Sequence, residues 1–511
     1  MTDYHKQLKL LPGERWWGGL SRDGGSMPYG DAPIERDFSS LFGNQGMPLL
    51  ISNQGRYVWS DDPFTFSFTP GLLDLRASAD GDAALEVGEG HENLRGAYRH
   101  VCQHHFPPQG GTPAPLLLTA PQYSTWIAFI YDQRQDRVLR YAEDALANGF
   151  PPGVIMIDDN WMVDYGTWRF RTDVFPDPKA MVARLNDLGF RVMLWTCPFV
   201  SPDSPTFRDL RSKGYLLKDK EGVVAVRRWW NGYSAILDLS NEDTLAWYRG
   251  QLDELVAEYG VEGFKFDGGD TYSFRDDDRT AKPARPLDQS RAYARLGLHW
   301  RFNECRASWK CAGLPLAQRL SDKRHTWAED GLAGLLPNGL AQGLLGYAFG
   351  CPDMIGGGEN EDFEDPNLQL DAELFVRYAQ CAALFPMMQF SLPPWEVLDK
   401  EHAGYCLEAA RLHVELAPDI EALARHAAET GEPIMRHLAY VFPDGDYEDI
   451  TDQFLVGDDL LVAPVLQKGA DKRTITFPPG TWNGDDGSTV EGPCVQEVGA
   501  PLSRLPRYRR S

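Results

Sequence analysis

The 511-residue chain predicts an α/β protein: a (β/α)8 TIM barrel with a β-sandwich domain at each end. Three observations carry that expectation. The middle of the chain alternates short apolar runs with amphipathic stretches, the signal for parallel βα units. Eight such runs can be counted, which is the strand number of a closed barrel. On either side the helical period fades and alternating strands between turn signals take over. A single core stops growing at roughly 250–300 residues, so two or three domains are expected.

Residues 1–112 are rich in Gly, Pro, Asp and aromatics, with alternating runs such as RYVWS and FTFSFT, and read as an N-terminal β-sandwich. The stiff stretch PPQGGTPAP marks its end. The barrel is placed at residues 113–431, with strands in LLLTAPQYSTW, GVIMIDD, FRVMLW, GFKFD, ECRASW, PLAQRLSD, GYAFGCPD and PMMQFS. Helical stretches such as DPKAMVARLNDLG and EDTLAWYRGQLDELVAEYG lie between them, for an expected eight strands and eight helices. Residues 432–511, with DQFLVGDDLLVAPVL and KRTITFPPGTW, read as the C-terminal β-sandwich.

Composition narrows the function. Fifty basic against seventy-four acidic residues give a net charge of −24, which repels phosphate backbones and anionic membrane surfaces. Neither nucleic acid nor a membrane is expected as a partner; a small neutral carbohydrate is compatible. The start MTDYHKQLKLLPGERWW lacks an apolar leader core, and no run reaches the roughly 18 apolar residues of a membrane helix, so a cytoplasmic location is expected. The eight cysteines show no C-x-x-C spacing and read as free buried thiols. Oligomeric state is left open.

A parallel strand buried on both faces has no structural need of charge, so polar residues at its end are informative. Asp158 and Asp159 end the second strand, Trp195 the third, and Lys265 and Asp267 the fourth; Arg306 falls in the fifth, Asp322 ends the sixth and Asp353 the seventh. Such a ring of carboxylates could hold a divalent metal. The interleaved Trp161, Trp168, Trp195, Trp229, Trp230 and Trp327 suit the apolar faces of a sugar ring better, and no metal or cofactor is expected. The cluster HVCQHH has zinc-type donors, but its spacing fits no common structural site.

IDDNWMVDYGTWRFRTDVFPDPKAMVARLNDLGFRVMLWTCPFV resembles the second and third barrel units of glycoside hydrolase family 31, retaining enzymes acting on α-glycosides. GFKFDGGD resembles that family's K-x-D nucleophile strand, and the blocks after residue 432 are similar to its C-terminal domain. The resemblance implies Asp267 as nucleophile, with Lys265 as its positive neighbour. It implies sugar-hydroxyl contacts for Asp158, Arg306 and Asp353, with Trp195 as a pocket wall. The family's W-x-G-D acid signature is missing. Asp322, sixteen residues after Arg306 and five before Trp327, resembles the family's spacings and is the preferred acid/base; Asp330, three residues after Trp327, is the alternative. As general acid, Asp322 is expected to have a raised pKa.

Two departures bear on specificity. Asp159 stands where an apolar residue is usual, and MMQFSLPPW replaces the expected R-x-H near strand eight. Both resemble the α-galactosidase branch, so an exo-acting, retaining α-galactosidase is expected. The alternatives are an α-glucosidase, α-xylosidase or α-N-acetylgalactosaminidase of the same fold, or a catalytically silent sugar-binding protein.

Overall fold

The computed structural model describes residues 5–30, 32–38, 44–77, 84–364 and 368–511. Eight parallel strands occupy its centre: β1 (Gln122–Ser124), β2 (Val154–Ile157), β3 (Arg191–Thr196), β4 (Gly263–Phe266), β5 (Phe302–Cys305), β6 (Gln318–Arg319), β7 (Gly350–Cys351) and β8 (Gln389–Phe390). They pair in the order β7-β6-β5-β4-β3-β2-β1-β8, and a parallel bridge from Met354 to Gln389 closes the ring. The apolar runs VIMI and GFKF are buried along their whole length, as strands sandwiched between lumen and helices must be.

The helices around the barrel are α1 (Gln135–Ala147), α2 (Pro178–Asp187), α3 (Glu242–Tyr259), α4 (Pro286–Leu296), α5 (Leu335–Leu344), α6 (Ala372–Ala382), α7 (Lys400–Glu415) and α8 (Ala417–Thr430). Their ends follow local chemistry. The Asp177 carboxylate accepts the Ala180 N–H before Pro178 opens α2, and Gly260 closes α3 in the left-handed conformation. One expected helix is absent: β5 reaches β6 without one. That connection holds Gly313 and Pro315, both hostile to a helix. In its place Ser308–Trp309 pairs in parallel with the start of Gln45–Ser52, carrying the N-terminal region onto the barrel.

The N-terminal region has two sheets. One is antiparallel, ordered His5–Lys9, Leu72–Ala77, Phe64–Thr69, Ile34–Asp37. The other is built around Gln45–Ser52. FTFSFT alternates as read, its phenylalanines packing with Tyr29 and Phe38. A helix the sequence reading passed over, Leu94–His105, is capped by Asn93 and buries Leu94, Tyr98 and Val101. It carries the HVCQHH histidines, of which His100 and His104 stack ring on ring. Among the described residues no group of three or more His, Cys, Asp or Glu could hold a metal ion. The C-terminal region is a six-stranded antiparallel sheet in which Lys472–Gly484 and Thr489–Gly499 form one long hairpin. No described helix is long and apolar enough to cross a membrane.

Candidate active site

Register gathers the strand-end residues. Trp195 on β3 pairs with Lys265 on β4, and Lys265 with Glu304 on β5, so the three lie at one level of the barrel. Asp267 follows β4, and its N–H donates to the Thr196 carbonyl, which extends the ladder and fixes the carboxylate just above that level. Together with Trp126, Asp158, Trp230, Tyr272, Arg306, Arg319, Asp322 and the loop Gly358–Asn360, these residues line a cleft of about 580 Å³.

Two carboxylates dominate it. Arg306 Nη1 lies 3.7 Å from Asp267 Oδ1 and 2.6 Å from Asp322 Oδ2. One guanidinium nitrogen thus touches both, and the facing oxygens are no further apart than those two contacts laid end to end. Trp195 Nε1 donates to Asp267 Oδ2 at 2.9 Å, leaving Oδ1 buried without a hydrogen bond. Burial alone would raise the Asp267 pKa, but Arg306, Arg319 and Lys265 outweigh it and hold the carboxylate ionised. Lys265 donates to Asp158 Oδ2 at 2.7 Å, and Ser124 donates to the same oxygen at 3.0 Å.

The expected raised pKa of Asp322 is overturned. Burial pushes it up, but Arg306 and Arg319 together press it well below the ordinary carboxylate range. Arg319 donates to Asp322 Oδ1 and to Asp353 Oδ1, each at 2.7 Å. Sequence reasoning missed Arg319. A charge inside the doubly buried run PLAQRLSD, three residues before Asp322 where W-x-G-D has its tryptophan, was the available signal. Trp126 and Tyr272 were also missed, since each sits in a single short helical turn that leaves no periodic trace. Gly358–Asn360 belong to GGGENEDF, the Gly-rich acidic stretch after strand seven that the sequence places at the rim of the site.

Three predicted contact residues stand outside the cleft lining. Asp159 is fully buried, its Oδ2 taken by Tyr165 Oη at 2.8 Å, and burial pushes its pKa up to about 7. Asp353 is buried behind Arg319 and accepts the Lys323 N–H at 2.7 Å. Trp327 Nε1 donates to Asp371 at 3.0 Å. The alternative acid Asp330 is exposed and accepts from Thr326 at 2.8 Å; it lines a neighbouring cleft that shares Arg306, Asp322 and Glu359 with the first.

Comparison with family models matches residues 117–419 to the TIM-barrel domain of glycosyl hydrolases family 31 and residues 431–511 to that family's C-terminal domain. The chain belongs to glycosyl hydrolase family 31. It is similar to myogenesis-regulating glycosidase of Mus musculus, 34% identical over 77% of this chain and 56% of the relative. It is similar also to α-xylosidase XylQ of Lactiplantibacillus pentosus, 26% identical over 89% of this chain and 60% of the relative. It thus spans little more than half the length of these curated relatives. Among solved structures, a Flavobacterium johnsoniae dextranase with glucose superimposes at a TM-score of 0.86, 20% identical, over 99% of this chain and 66% of that one.

Proposed function

We propose that the chain is a retaining, exo-acting α-glycoside hydrolase for a neutral sugar of gluco or xylo configuration. The observation that carries the reading is the shared contact of Asp267 and Asp322 with Arg306 Nη1. Two carboxylates held at one guanidinium suit a pair working on one bond, and likeness to the retaining enzymes of family 31 supports double displacement. That course needs carboxyl groups about 5–5.5 Å apart, against roughly 6.5–9.5 Å for inversion. The names of relatives support the sugar class: an α-xylosidase and a dextranase are similar to this chain. The expected α-galactoside has no such support, and Asp159, one of its two grounds, is committed to Tyr165.

In the first step the Asp267 carboxylate attacks the anomeric carbon while Asp322 gives its proton to the departing glycosidic oxygen. Trp195 donates to Oδ2 and so fixes the orientation of the attacking carboxylate. Forming the glycosyl ester removes the negative charge of Asp267, which lowers the proton affinity of Asp322 further and suits it to act as base on the incoming water.

A second, α-galactoside reading retains one observation. At strand eight Gln389 is buried and donates to Glu304 and Gln122, in place of an arginine and histidine that could address a hydroxyl. A panel of p-nitrophenyl α-glycosides separates the readings: turnover of the xyloside or glucoside is expected, and turnover of the galactoside alone would replace the sugar class. Asp267→Asn is expected to cut turnover by about 10⁴-fold or more. Full activity in that variant would remove Asp267 as the nucleophile, and binding without turnover in the parent protein would make it a sugar-binding module.

A further inference from the structure

Arg319 is 1% exposed, yet it lines the cleft and is surrounded by four carboxylates. Its guanidinium lies 2.7 Å from Asp322 and from Asp353, 3.6 Å from Asp267 and 3.4 Å from Glu304. Nε is buried without a hydrogen bond. A structural arginine this deep would ordinarily be saturated by its partners. Here it is instead divided between the attacking carboxylate, the proton-donating one and two groups behind them.

We propose that Arg319 is a positioning residue that fixes the distance and sets the charge of the Asp267–Asp322 pair, so that the free enzyme works on the acid side of neutrality. This rests on the hydrolase reading of the same cleft. The proton that Asp322 delivers as the bond from the anomeric carbon to the leaving oxygen breaks, and the ester to Asp267 forms, must be held against two guanidinium groups. Every charge facing Asp322 enters the balance. Arg306, Arg319 and Lys265 oppose protonation, while Asp267, Asp270, Asp353 and Glu359 favour it. Lys323 and Tyr272 stand at the edge of the same group. The two arginines donate hydrogen bonds directly to Asp322; none of the other carboxylates reaches it through a hydrogen bond. Removing Arg319 leaves Asp322 with one such partner and relieves Asp267 as well, so both limbs of the pH profile should move up together.

The test measures kcat/KM against pH, which reports the free enzyme, on the methyl and the 2,4-dinitrophenyl glycosides of whichever sugar the panel identifies. For the native protein the methyl glycoside should show an alkaline limb below about pH 7. The dinitrophenyl glycoside, whose leaving group departs without a proton, should lack that limb. In Arg319→Gln the methyl-glycoside bell should shift bodily upward by about one pH unit, which raises the ratio of activity at pH 7 to that at pH 5 about fivefold for an alkaline limb starting near pH 5. Arg319→Lys keeps a charge and should hold the bell near its native position.

A native alkaline limb well above neutrality overturns the proposal. So does an Arg319→Gln bell in the native place with equal losses on both substrates, the mark of a merely structural arginine. If the glutamine variant does not fold, the native limb and the lysine variant decide. Failure of the hydrolase reading is distinct and shows as no turnover of any glycoside, while indifference to Asp267→Asn would remove Asp267 as the nucleophile.

Discussion

Two buried clusters in this molecule are made of the same ingredients and differ in how completely they are satisfied. At the junction of the N-terminal helix, the barrel and the C-terminal sheet, Glu432 takes hydrogen bonds from Arg95, Arg99 and Tyr440 on one oxygen and from Arg95, His426 and Arg436 on the other. At the cleft, one oxygen of Asp267, both of Asp270, one of Glu304, and Nε of Arg306 and Arg319 are buried without a hydrogen bond. Desolvated polar atoms without partners cost about 1–3 kcal/mol each. Arg306 Nε and Arg319 Nε stand 3.5 and 3.4 Å from Asp270 and Glu304, ion pairs without a hydrogen bond. A sugar, whose hydroxyls both donate and accept, can add partners to the members that line the cleft, Asp267, Arg306 and Arg319. The saturated cluster holds the domains together, and the unsaturated one is poised for a ligand.

The contrast is broken most directly by Asp322→Asn. If the cleft cluster is chemical, kcat/KM on an alkyl glycoside should fall by about 10²–10⁴-fold, the usual contribution of a general acid. On a dinitrophenyl glycoside the first step should be nearly unaffected, which burst kinetics would reveal. Equal loss on both substrates would recast Asp322 as a structural partner of its two arginines.

The same comparison predicts a different kind of damage at Glu432. Removing one partner from a buried ion cluster typically costs about 3–5 kcal/mol. Glu432→Gln should therefore shift the urea midpoint substantially while leaving KM close to native. Burial works against ionisation, but the arginine contacts prevail and the folded-state pKa lies well below that of a free glutamate. A depressed carboxylate contributes stability above its unfolded pKa of about 4.3, and that contribution is lost as pH falls from there toward the folded value. The native protein should lose stability steeply in that acid window and the variant less so; parallel acid curves would show that the cluster is not ionised as drawn.

How far the sequence exposes these two clusters differs for physical reasons. Asp158, Lys265, Asp267 and Arg306 were legible because a strand buried on both faces gives a charge no structural purpose. All eight barrel strands were legible in number because their apolar runs are bounded by turns, but not in extent: LLLT opens the first as helix, and the fifth runs Phe302–Cys305 and stops before Ser308–Trp309 leaves for the N-terminal sheet. Arg319 went unread because its charge sits inside such a run, where the alternation of lumen and helix faces cannot be assigned without the register. Asp159 looked equivalent to Asp158 in IDDNW, but successive residues leave a strand in opposite directions, and only one of the two reaches the cleft lining. Glu432 lay in no motif: its partners Arg95, Arg99 and Arg436 converge from distant parts of the chain.

The missing helix between β5 and β6 links the two halves of the comparison. Because Ser308–Trp309 pairs with the N-terminal strand instead, buried Gln45 is carried to the base of the cleft. Its Nε2 donates to the Arg306 and Arg319 carbonyls at 2.7 and 2.8 Å, while its Oε1 accepts from Ser21 at 2.9 Å and Gln342 at 3.0 Å. Gln45→Ala should cost about 1–3 kcal/mol of stability and lower kcat more than it raises KM, since the arginines lose their backbone support without losing their side chains. Unchanged kcat in a destabilised variant would make the N-terminal contact purely architectural.

The smallest effect is expected at the mouth. Trp230 is 44% exposed and meets Trp126 edge to face at 5.3 Å, while Trp126 Nε1 donates to the Gly358 carbonyl at 3.0 Å and ties that wall to the glycine loop. An exposed indole beside a cleft adds little to folding, so Trp230→Ala should leave the urea midpoint close to native. What it should lose is stacking against the sugar or its aglycone, worth about 0.5–1.5 kcal/mol by analogy with aromatic pairs, which appears as a several-fold rise in KM at constant kcat. A fall in kcat of the size expected for Asp322→Asn would instead place Trp230 among the groups that act on the transition state, and would move the boundary between wall and chemistry outward from the arginines to the aromatic rim.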